Sequence, residues 1–164
     1  MNERLLEMYK PKSPRFRLKG DLGDKITLEL VKKVMTEHNE ENFGLTLTFK
    51  LETIKVGGFF SKKTEDCLTI IHPEYEYKYE GFRIKLGKQG KITVVEMNRI
   101  GESEQVKREL KAMNSSGVGG LIRNVSAASG RDGFEQECTF YNMVDEIFAE
   151  LFQDDGKKVA EMIS

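Results

Sequence analysis

Leu45, Leu47, Phe49 and Leu51 alternate with Thr46, Thr48 and Lys50. That two-residue period marks a strand with one face on a core and the other in water. Beyond Leu51 the apolar parity shifts to Ile54 and Val56, which predicts a bulge or a strand end near Glu52-Thr53. Gly57-Gly58 then turns the chain, and Cys67–Ile71 reads as a buried strand stopped by Pro73. Tyr75, Tyr77 and Tyr79 alternate with charges, and Phe82, Ile84 and Leu86 continue with opposite parity. A bulge across Glu80-Gly81 would return both runs to one face. Gly87–Gly90 reads as a hairpin turn into a strand over Ile92–Met97.

Helical spacing brackets this β-rich centre. Ile26, Leu30, Val31, Val34, Met35 and His38 recur at three- and four-residue intervals, with Asp24 placed to cap their helix. Ahead of it, Gly20–Gly23 reads as a turn, and Arg15–Lys19 alternates charged and apolar residues as an edge strand does. Val106, Leu110 and Met113 predict a helix near 102–114, and 121–129 a shorter one. Asp132-Gly133-Phe134-Glu135 fits a capping box. It opens the strongest helix, 133–153, ended by Asp154-Asp155-Gly156 and followed by a last short helix over 157–164. Consecutive strands flanked by helices predict an α+β fold. The expected architecture is an antiparallel sheet of four to six strands, with helices on one face and a long C-terminal helix. No linker divides residues 1–164, so they form one domain, in which 1–14, cut off by Pro11 and Pro14, is a basic arm.

Composition narrows the function classes. With 38% apolar and 32% charged residues, the chain has enough material for a core and a heavily charged surface. The net charge of −1 argues against a dedicated nucleic-acid binder. Two cysteines, Cys67 and Cys138, suit reduced thiols in a cytoplasmic protein better than a disulfide framework. The N-terminal residues lack the apolar run of a signal peptide, and no stretch reaches the roughly 18 apolar residues of a membrane span.

Candidate chemistry is sparse. His38, Cys67, His72 and Cys138 lack the paired spacing of metal ligands, and Gly117–Gly120 fits neither the dinucleotide fingerprint nor a P-loop. No catalytic residue, metal ligand or cofactor is therefore assigned. Candidate contacts to a ligand or nucleic acid are Lys10, Lys12, Arg15 and Arg17 in the arm and first strand, the tyrosines 75, 77 and 79, and Gly119 with Arg123. On the C-terminal helix, Phe140, Met143, Ile147, Phe148 and Phe152 widen the apolar face beyond one stripe and form the candidate partner interface. Asp145, Glu146 and Glu150 are expected at its rim. The leading expectation is a non-catalytic binding or adaptor protein, chaperone-, inhibitor- or immunity-like, working through protein–protein contacts as a homo-oligomer. The alternatives are a small-molecule binder or enzyme with a pocket between sheet and helices roofed by 115–133, and a nucleic-acid-associated protein using the arm and the tyrosine strand.

Overall fold

A computed structural model describes residues 13–58, 60, 63–71, 81–100 and 131–164, the last segment with side chains from 139 onward. In chain order the elements are β1 (Arg15–Leu18), α1 (Gly20–Lys25), α2 (Leu28–Asn42), β2 (Thr48–Val56), β3 (Lys63–Ile71), β4 (Gly81–Gln89), β5 (Ile92–Ile100) and α3 (Arg131–Ile163). The fold is α+β. Its five strands form one antiparallel sheet in the order β1-β5-β4-β3-β2. Strands β2 to β5 follow one another as a meander. β1 joins the far edge, so α1 and α2 carry the chain across the sheet from one edge to the other.

Register decides which side chains share a face. Phe16 pairs with Val95, Leu86 with Val95, Ile84 with Met97 and Leu68, Ile70 with Phe82, and Phe49 with Ile70. These residues point toward the helices, where they join Val31, Val34 and Met35 of α2 and the apolar side of α3 in one core. Ring contacts tie the layers together: Phe16 to Phe148 at 5.7 Å and Phe82 to Tyr141 at 5.3 Å between centroids. The opposite face carries Arg15, Arg17, Lys50, Glu52, Glu65, Arg83, Lys85 and Glu96, a lattice of alternating charge.

Several local expectations change. Gly20–Gly23 begins the short helix α1, and the cap of α2 is Thr27, whose Oγ1 accepts from the Leu30 N–H at 3.1 Å. Asp24 cannot take that role because it lies in the last turn of α1. β2 starts at Thr48 and pairs without interruption from Thr48↔Ile71 to Val56↔Lys63, so there is no bulge at Glu52-Thr53. Gly87 lies inside β4, and the hairpin turns at Gly90, where φ is +63°. α3 begins at Arg131, ahead of the expected cap Asp132. It breaks where expected, through Gln153–Gly156, with Asp154, Asp155 and Gly156 all at positive φ. The expected helices at 102–114 and 121–129, the helical turns at 2–9, the tyrosine strand and the bulge at Glu80 lie outside the described residues.

Candidate functional site

Among the described residues the ladder between β3 and β4 holds three pairs, Leu68↔Ile84, Thr69↔Arg83 and Ile70↔Phe82. β3 nevertheless extends back to Lys63, and β4 extends on to Gln89, each held by its hairpin partner. Continued in register, Cys67 would face Lys85, Asp66 would face Leu86 and Glu65 would face Gly87. Instead the strands part, and a cleft of about 880 Å³ opens between them. An antiparallel strand bonds alternately to its two neighbours. Along Lys63–Cys67 and Lys85–Gln89, every second backbone N–H and C=O therefore points into the cleft without a ladder partner among the described residues.

The cleft reaches both faces of the sheet. Toward the helices its floor is Leu28, Leu51 and Leu86, flanked by Glu29, Thr53, Asp66 and Lys88. Leu51 is 43% exposed there, one of two large apolar side chains left open among the described residues. Toward the other face it is lined by Arg15, Glu52, Glu65, Cys67, Lys85 and Glu96. Five carboxylates thus meet three cations, of which Lys85 and Lys88 are engaged in ion pairs. Lys85 Nζ lies 3.0 Å from Glu65 Oε2, a bridge that crosses the cleft from β4 to β3. Lys88 Nζ donates to Thr93 Oγ1 at 2.7 Å and lies 3.7 Å from Asp24 Oδ1. Arg15 pairs in register with Glu96. Glu52 accepts from Thr69 Oγ1 at 2.6 Å and from Lys50 Nζ at 3.0 Å. The Thr69 hydroxyl, and after it Lys50, hold its carboxyl below the ordinary 4.5. Asp66 accepts from Thr53 Oγ1 at 2.7 Å. Asp66 and Glu29 make no ion pair among the described residues.

The residues singled out from the sequence are dispersed. Arg15 lines the cleft, while Arg17 donates to Gln89 at the sheet edge. Lys10, Lys12, Tyr75, Tyr77, Tyr79, Gly119 and Arg123 lie outside the described residues, as does nearly all of the 115–133 roof. Of the candidate interface, Phe140 is 5% exposed and Ile147, Phe148 and Phe152 are fully buried in the chain's own core. Only Met143 is half-buried. The width of that apolar face is explained by its place between sheet and α2. Asp145 is not at a rim: it is 7% exposed and accepts from Arg99 Nη2 at 2.9 Å, with the Arg99 guanidinium over the Tyr141 ring. Glu150 bonds to His38, and Glu146 is exposed.

The cleft residues Glu29, Leu51, Asp66 and Lys85 were not singled out from the sequence. Their one signal was the parity change after Leu51, which marks where the strand's covered face changes. Among the described residues no three His, Cys, Asp or Glu side chains gather as metal ligands would, and no helix is long and apolar enough to cross a membrane. No family model matches the chain, and no curated protein and no solved structure matches it either.

Proposed function

We propose that the chain is a non-catalytic polypeptide-binding module that takes an extended segment of a protein partner between β3 and β4. The observation that carries this reading is the pair of facing strand margins, Lys63–Cys67 and Lys85–Gln89, whose ladder stops at Leu68↔Ile84. Unpaired strand groups are a ready template for a guest backbone, and strand addition is a recurrent mode of peptide recognition. The sheet's outer edges are less suited. β2 carries Lys50 and Lys55 and β1 carries Arg15 and Arg17, charges of the kind that deter edge pairing. A guest in the cleft has main-chain partners on both sides and leucines beneath it.

The test begins by selecting linear peptides from a displayed random library against the full chain. Amide hydrogen exchange is then measured with the tightest binder. Slowed exchange confined to Lys63–Cys67 and Lys85–Gln89 is the expected result. Protection elsewhere with none at these margins, or no selectable binder, overturns the reading.

A further inference from the structure

We infer that the guest is an aliphatic-anchored, basic segment: one leucine-like side chain seated on Leu28, Leu51 and Leu86, with a lysine or arginine two residues to either side. This rests on the strand-addition reading and adds the chemistry of the partner.

The argument follows from strand geometry. Successive side chains of an inserted strand point to opposite faces, so residues i−2, i and i+2 share one face. On the helix side, that face meets an apolar floor with carboxylates beside it. Leu51 is 43% exposed at the floor, and covering it and its neighbours removes apolar surface from water. Glu29 stands in the first turn of α2, and Asp66 on β3 receives only the Thr53 hydroxyl. Both are exposed, and both lack a cation among the described residues. Lys88, the cation on this side, is drawn away to Thr93 and Asp24. A positive charge at i−2 and i+2 supplies what Glu29 and Asp66 lack, and a negative one would meet like charge. On the other side the guest's i−1 and i+1 side chains face Glu65 and Lys85, which already pair across the gap. Small polar side chains there compete least with that bridge.

Three labelled seven-residue peptides test this by fluorescence anisotropy with the full chain. The first has a central leucine, a lysine two residues to each side and threonines between. The second replaces the leucine by serine, and the third replaces both lysines by glutamate. The first should bind, and the second and third should each be weaker by about tenfold or more. Glu29→Lys with Asp66→Lys should reverse the order of the first and third peptides while its melting temperature stays within a few degrees of the parent. Glutamate and lysine peptides of equal affinity, or an order the double variant leaves unchanged, overturn the charge assignment. Exchange protection at β3 and β4 would then leave strand addition standing. Equal binding of the serine peptide overturns the anchor. If none of the three binds but library-selected peptides do, the inferred chemistry falls and the reading beneath it survives. If selection also yields nothing, both fall.

Discussion

His38 Nε2 lies 2.6 Å from Glu150 Oε2, joining α2 to α3 across 112 positions of sequence. The ring is 5% exposed. Asn42 Nδ2 donates to its Nδ1 at 2.9 Å and to the His38 carbonyl at 3.1 Å, which places the ring proton on Nε2, toward the carboxylate. Glu150→Ala leaves that N–H without its acceptor and should lower stability by about 1–2 kcal/mol. His38→Leu, which removes the donor and fills the same space, should destabilise less than His38→Ala. Urea unfolding of the three variants checks the order.

The Arg99–Asp145 pair is far more deeply placed, its side chains 2% and 9% exposed. Asp145→Ala leaves a guanidinium in the core and should cost about 3–5 kcal/mol. Arg99→Met combined with Asp145→Leu removes both charges and should recover most of that loss. A double variant no more stable than Asp145→Ala, by denaturant midpoint, would show that the pair itself stabilises the fold.

Glu52 sets an acid-side dependence. Its carboxyl is held below 4.5 in the fold, first by the Thr69 hydroxyl and then by Lys50. A depressed folded value means that its contribution is complete above the unfolded value. The contribution is lost as pH falls through the folded one. The stability gap between the parent and Glu52→Gln should therefore be widest at neutral pH and close below the ordinary 4.5. Thr69→Val should shrink the gap at neutral pH. Thermal unfolding across a pH series checks both.

Gly81 guards the short ladder. Its φ is +130°, and a Cβ built there would stand 2.1 Å from the Ile70 carbonyl oxygen. Gly81→Ala must push β4 away from β3 at the Ile70↔Phe82 pair. A loss of more than about 3 kcal/mol is expected, from strain at a backbone conformation that side chains avoid together with core disruption. Gly87→Thr in the same strand meets nothing within 4 Å and should be neutral or slightly stabilising.

The sheet was legible because alternation is a local signal: Phe82, Ile84 and Leu86 announce their shared face within five residues. The break in α3 was legible for the same reason, since Asp154-Asp155-Gly156 suits left-handed backbone. The parity change after Leu51 marks no bulge, because this strand changes which of its faces is covered. In the fold Phe49 is half-buried toward the helices, whereas Glu52, Ile54 and Val56 are half-buried on the other side. The apolar width of α3 suggests an interface in sequence, because a sequence does not show how many layers a helix touches. Phe148 contacts Phe16 on β1, and α2 packs beside it. The cleft left almost no trace, because it depends on where two hairpins diverge, and that is decided by partners far apart in the chain.

Among the described residues nine pairs hold β2 to β3, nine hold β4 to β5, and three hold the two hairpins to each other. Leu68 and Ile70, at that junction, are fully buried. The β2–β3 hairpin is thus a lever with its fulcrum clamped in the core and, beyond it, no ladder to β4 among the described residues. From Leu68 to Lys63 the arm is roughly 16 Å long. A few degrees of rotation at the fulcrum would move its tip by about an ångström. Phe60, 99% exposed, stands at that tip. Displacement there would change the distance between Lys63–Cys67 and Lys85–Gln89 and load the Glu65–Lys85 bridge that spans them.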